Sequence, residues 1–185
     1  MKNTYFTGYF PLISILLYST SLSIATVMYA IGLLKSLGIY EGMLGIVSEG
    51  EIRLAMFVLF ALIFFMMLSA LKLIANTVTE LALLFFSKDQ EGAALTKIRA
   101  GSSFYLAGGA VSILLIGNGL WIGAVFLIAT FCYFVFLVYK VSAMLSPFSL
   151  IGLVLFHLLF WIVFILGILF LLVRLYNSFM SSLPI

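Results

Sequence analysis

Charge is what this sequence has least of. Six acidic and nine basic residues stand in a chain of 185, so charged residues make up 8% of it against 65% hydrophobic ones. A soluble domain carries roughly 25% charged and about 45–50% apolar residues. A soluble chain of this length buries only about 70% of the surface its unfolded form exposes, and so few charges cannot wet the remainder. The solvent around such a chain is lipid. Cysteine is nearly missing too: the single thiol, Cys132, excludes an intramolecular disulfide framework. Histidine occurs once, at His157. No Cys/His/acid cluster with metal-ligand spacing accompanies it, so neither a metal nor any other cofactor is expected. The net charge of +3 contains no basic run long enough to engage nucleic acid.

What the sequence does have is long uncharged runs. The first extends from Phe6 to Leu34 and stops at Lys35 and Gly38, predicting a helix over 8–36. About 20 helical residues cross a ~30 Å hydrocarbon core, and a secretory h-region is only ~7–15 residues, so this run is a span and not a signal peptide. A polar loop with Glu41 and Glu49 follows. Ser48-Glu49-Gly50-Glu51 is the capping-box signature of a helix start, and a second helix is expected over 51–86. It is apolar to Ala70 and then mixed, with Lys72, Asn76, Thr79 and Glu80. At ~52 Å it exceeds the core, so it is expected to leave the membrane near Asn76 and continue into water.

Ser87–Gly92 is the most polar stretch, and Asp89 is placed to cap a third helix over 90–116. Gly117-Asn118-Gly119 reads as a tight turn, since these residues tolerate left-handed backbone. Without a break there, Phe104–Tyr139 would be one uncharged helix of ~54 Å, which tilt alone does not accommodate. A fourth helix over 120–144 and a fifth over 147–177 follow, the fifth opening with Ser146 as cap and Pro147 at the first helical position. The expected fold is all-α: one polytopic transmembrane domain, 1–185, of five helices, the second and third extended into a cytoplasmic hairpin. Five spans put Lys2, Lys88, Lys97, Arg99 and Lys140 on one side with Lys72 near it, and Lys35, Arg53 and Arg174 on the other. The positive-inside rule then places the amino terminus in the cytoplasm and the carboxyl terminus outside.

Several polar residues stand out against this background. Ser69, Lys72, Asn76, Thr79 and Glu80 recur at three- and four-residue spacing and share a helix face. Such a stripe lines a pathway in some membrane proteins; its late position in the run fits better a helix surfacing, with Lys72 snorkelling. At equal rise on two antiparallel helices, Glu80 is level with Lys97 and Arg99, which predicts an ion pair across the hairpin. His157 lies about ten residues into the fifth helix, ~15 Å deep. It suits proton relay or substrate binding, and suits equally a bond to a serine or threonine on a neighbouring helix, worth ~0.6 kcal/mol. Gly101, Gly108, Ser112, Gly119 and Gly123 let helix backbones approach. Nothing matches a phosphate-cradling loop, a nucleophile elbow or a paired-carboxylate site, so no catalytic residue is expected.

The strings Lys2-Asn3-Thr4-Tyr5, Gly8-Tyr9-Phe10-Pro11, Leu84-Phe85-Phe86-Ser87-Lys88-Asp89 and Ser182-Leu183-Pro184 resemble the YufK-like family of small multi-pass membrane proteins of bacilli. The resemblance implies a cell-membrane location and carries over no activity. The expectation is an integral membrane protein that acts structurally or as an accessory, through packing with itself or a membrane-protein partner in the bilayer. The alternative is a carrier or channel for a small solute or ion that uses His157, Asn118 and the Lys72–Glu80 face.

Overall fold

The structure, a computed structural model, describes residues 8–87 and 92–182. Asp89, expected as a cap, and the cations Lys2 and Lys88 lie outside the described residues. Helix α1 (Phe10–Ser36) begins with Pro11 in its first turn, where the missing N–H removes no helical bond. Beyond it, Gly38 adopts φ 71°, a left-handed conformation that only glycine takes at no steric cost. The chain then forms a short helix, α2 (Ile39–Leu44), inside what the sequence reads as loop.

Helix α3 (Glu49–Phe86) opens on the expected capping box. The Glu51 carboxylate accepts from the Ser48 N–H at 2.9 Å, and the Ser48 hydroxyl accepts from the Glu51 N–H at 3.4 Å. The start falls two residues earlier than expected because Glu49 and Gly50 complete the first turn, where Glu49 pairs with Arg53 at 2.5 Å. With 38 residues the helix is ~57 Å long.

The third expected helix is interrupted. A short α4 (Ala93–Ile98) passes through a 3-10 turn at Arg99–Gly101 into α5 (Ser102–Leu114). Ser102 and Ser103 donate to the carbonyls of Arg99 and Ala100 across this turn, at 2.7 and 2.8 Å.

The turn after α5 also differs from expectation. Gly117 and Gly119 keep negative φ. Instead Asn118, in extended conformation, caps α6 (Gly119–Ser142) by accepting from the Leu120 N–H at 3.0 Å. Ser146 accepts from the Ser149 N–H at 3.2 Å and starts α7 (Pro147–Ser182), which at 36 residues runs five beyond the expected end. The described residues form an all-α fold in which four helices, α1, α3, α6 and α7, are long and apolar enough to cross a membrane.

The helices form a ring. Helix α1 packs against α3 and α5, α5 against α6, and α7 against both α3 and α6. Helices α3 and α6 face each other across the interior through side chains. Leu68 meets Ile122 in one buried cluster, and Ala82 and Leu83 join Leu137, Val141 and Leu153 in another. A third cluster, Val27, Ile31, Tyr40 and Ile52, closes the end where α2 lies.

Candidate functional site

His157 is 4% exposed, and three helices meet at its ring. It sits on α7 one turn after Leu153, whose carbonyl oxygen is 3.0 Å from Nδ1. A carbonyl can only accept, so Nδ1 carries the proton. Nε2 points to α3, where Thr79 Oγ1 lies 3.5 Å away. Phe134 of α6 and Phe156 of α7 flank the ring, at 5.7 and 6.3 Å between centroids. Of the two sequence readings of this histidine, the bond to a hydroxyl on a neighbouring helix has its partner in place.

One and two turns away along α3 from Thr79 stand Asn76 and Lys72. The Lys72 ammonium lies 5.5 Å from the centre of the Tyr133 ring on α6, a cation–π separation. Tyr133 in turn packs against Tyr105 of α5, 5.5 Å between centroids, and the Tyr105 hydroxyl donates to Thr130 at 3.2 Å. Lys72 therefore reaches into the ring. Because Cα–Cβ bonds tilt towards a helix's own amino terminus, its stem leads away from the end that carries Ser87, Lys97 and Lys140. Asn76 is exposed and Asn118 serves as the cap of α6. Asn118 and Phe134 are 16 residues apart on α6, ~24 Å, so Asn118 and His157 do not share a site.

Glu80, Lys97 and Arg99 are all exposed. The one ion pair among the described residues is Glu49–Arg53, so Glu80 bridges to neither cation. Lys97 instead reaches Met144 Sδ, 3.6 Å away. Helix α4 packs on α6 and not along α3, which turns Lys97 from the expected partner.

The small residues divide by what faces them. A Cβ on Gly101 would lie 2.8 Å from Phe136 Cδ1 and 2.9 Å from Tyr133 Cδ2, and one on Gly108 would collide with Tyr18 Oη. Ser112 meets Ser21 of α1 at 2.9 Å, both fully buried. Gly119 has only Ala25 at 4.0 Å, and Gly123 has nothing within 4 Å. Gly109, beside Gly108 in the same glycine-rich stretch, packs on Leu17 at 3.1 Å, and one further close approach, Gly152 on Phe86, escapes sequence reasoning. So does the row Tyr18, Tyr105, Thr130 and Tyr133. Their only sequence signal is hydroxyls in the middle of apolar runs, which a search for charge and histidine passes over.

A model of the family described as "Family of unknown function (DUF5366)" matches residues 27–184. The chain is 58% identical, over all 185 residues and the whole of the relative, to the "Uncharacterized membrane protein YufK" of Bacillus subtilis (strain 168). No solved structure matches it.

Proposed function

From the premise that this chain belongs to the DUF5366 family, and is an integral, multi-pass protein of the bacterial cell membrane, we propose that it is a structural or accessory membrane protein that works by helix packing with a second copy or a membrane-protein partner. The observation that carries this reading is α7. Every residue from 165 to 181 is exposed, among them Phe170, Tyr176 and Phe179. Its buried contacts lie in the first half, at Leu153 and His157. Several polar groups of the interior, by contrast, are engaged with one another or with backbone: Ser21 with Ser112, Tyr105 with Thr130, Thr79 with Ala75.

The whole chain forms one membrane domain that crosses five times, with the amino terminus cytoplasmic and the carboxyl terminus outside. Residue pairing supports the fifth crossing. Ser21 meets Ser112 and Leu17 meets Gly109, so α1 and α5 run parallel, as two crossings in the same direction must. The segment 93–114 has 22 residues, ~33 Å as helix, enough for the core. The cations Lys97, Arg99 and Lys140 then share the cytoplasmic side with the end of α3.

Solubilisation of the full chain in mild detergent tests the packing role. A specific oligomer or a stoichiometric membrane-protein partner, lost when Phe170 and Leu171 are replaced by alanine, is the expected outcome. A strict monomer with no retained protein would remove the proposal. A second reading, a carrier for a small solute or ion, draws support from the position of Lys72 and His157 towards the same interior; flux through proteoliposomes that His157→Ala abolishes would favour it over the first.

A further inference from the structure

We propose that Lys72, with Ser69, Asn76 and Tyr133, forms a binding site between α3 and α6 for an oxyanion of the phosphate type. A cation in the interior of a membrane bundle is costly unless it is paired. Yet α1, α5, α6 and α7 contain no aspartate or glutamate at all, so no helix packed around Lys72 can supply a carboxylate. On α3 itself the nearest acid is Glu80, eight residues or ~12 Å along the axis. Among the described residues the face of Tyr133 is the one partner of the ammonium, which leaves its N–H donors unused.

The neighbours are unused as well. Among the described residues, neither Ser69, Asn76 nor Tyr133 makes a side-chain hydrogen bond. Ser69, Lys72 and Asn76 follow at three- and four-residue spacing, so they share one face of α3. The set thus places an ammonium, a hydroxyl and an amide along one face of α3, with Tyr133 of α6 opposite the ammonium, and every one of these groups is able to donate. Donor-rich, acid-free surroundings of this kind fit an anion with several acceptor oxygens. Ser69, Lys72 and Tyr133 are half-buried and Asn76 is exposed, so the set is open on the Asn76 side. The oxyanion could belong to the headgroup of an anionic phospholipid whose tails stay in the bilayer, or to free phosphate.

The test uses the purified full chain in non-ionic detergent, with native mass spectrometry and thermal unfolding. Dioleoyl-phosphatidylglycerol, dioleoyl-phosphatidylcholine and inorganic phosphate are added separately at equal ionic strength. The expected result is that phosphatidylglycerol is retained and raises the unfolding temperature, while phosphatidylcholine does neither. Lys72→Gln weakens the apparent affinity ~10-fold, the size of one charge-assisted hydrogen bond. Lys72→Arg keeps it, and Lys35→Gln, at the opposite end of the bundle, leaves it unchanged. A shift confined to phosphatidylglycerol assigns the site to lipid; one also produced by inorganic phosphate and lost in Lys72→Gln assigns it to a free oxyanion. The proposal is overturned if neither probe affects the wild-type chain, or if Lys72→Gln binds them as well as wild type does. Tyr133→Phe, which deletes one oxygen and keeps the ring, covers the case in which Lys72→Gln does not fold: undiminished affinity there overturns the proposal equally.

Discussion

Thr79 Oγ1 on α3 and His157 Nε2 on α7 lie 3.5 Å apart, and the bonds on either side of the pair determine what the contact is. His157 Nδ1 donates to Leu153 O at 3.0 Å, so in the neutral ring Nε2 is an acceptor. Thr79 Oγ1 already donates its one proton to Ala75 O at 2.8 Å. The hydroxyl must leave its own helix to bond the imidazole. At the outer limit of hydrogen-bond length, this contact adds little between α3 and α7, while the imidazole itself packs against Phe134 of α6 and Phe156 of its own helix.

Removing the hydroxyl and removing the ring should therefore differ in size. Thr79→Val, which keeps the shape, is expected to cost no more than ~0.6 kcal/mol, the average for an interhelical bond in a membrane. His157→Ala empties a packed site and should cost about 2 kcal/mol or more. Unfolding in graded denaturing detergent measures both. A Thr79→Val effect as large as that of His157→Ala would show that the bond to the hydroxyl, and not the packing of the ring, is the larger part of what His157 contributes.

The glycines give a sharper contrast. Gly101→Ala must displace both Phe136 and Tyr133, whose rings lie within 3.0 Å of the new methyl; overpacking of this kind costs about 1–3 kcal/mol. Gly123→Ala meets open space within the same bundle, and in mid-helix the change relieves backbone entropy of roughly 0.5–1 kcal/mol. The expected order in the same unfolding assay is Gly123→Ala at or above wild type and Gly101→Ala clearly below. Equal effects would contradict the close approach of the 3-10 turn to α6.

Much of the scaffold was legible from residues alone, because hydrocarbon imposes one requirement on every segment that crosses it. Uncharged runs marked the long helices, and Ser48–Glu51 and Ser146–Pro147 marked helix starts through local bonds that need no tertiary context. The break at Arg99–Gly101 was not legible. Serine hydroxyls bond back to carbonyls in straight helices too, as Ser14 and Ser19 do to Phe10 and Ile15 on α1. What distinguishes Gly101 is two aromatic rings supplied by a helix thirty residues on. The polar stripe on α3 was visible as a stripe, but whether Lys72 turned outward to headgroups or inward to Tyr133 depends on which helix lies opposite. Glu80 and Lys97 were level by counting; equal height does not make neighbours when α4 packs on α6.

The number of crossings has a direct readout, since Cys132 is the sole thiol. With Cys132→Ala as background, single cysteines at Val47, Ser87, Gly117 and Leu145 probe the four connections. Five crossings with a cytoplasmic amino terminus expect a membrane-impermeant maleimide to label Val47 and Gly117 on intact cells, and Ser87 and Leu145 only after permeabilisation. Labelling of Gly117 on the same side as Ser87 would mean that α5 and α6 enter and leave by one face, leaving four helices or fewer that cross.

Tyr18 and Gly108 should be coupled. Tyr18 is 2% exposed, and its buried hydroxyl, which has no hydrogen-bond partner among the described residues, lies against Gly108 of α5. In water-based accounting an unpartnered buried hydroxyl costs about 1–3 kcal/mol; in a bilayer the unfolded reference also lacks water, so the gain on deletion is smaller. Tyr18→Phe is thus expected to be neutral or mildly stabilising while keeping the ring edge-on to Phe126, at 5.3 Å. Gly108→Ala alone drives a methyl into that hydroxyl and towards Ala129 Cβ at 3.2 Å, and should destabilise. In the double variant the hydroxyl is gone and the tight contact with Ala129 remains, so Gly108→Ala should lose part of its effect and not all of it. A four-way cycle of unfolding free energies measures the difference. Strict additivity would show that the hydroxyl does not set the spacing of α1 and α5, and that the collision is relieved by movement of the helices themselves.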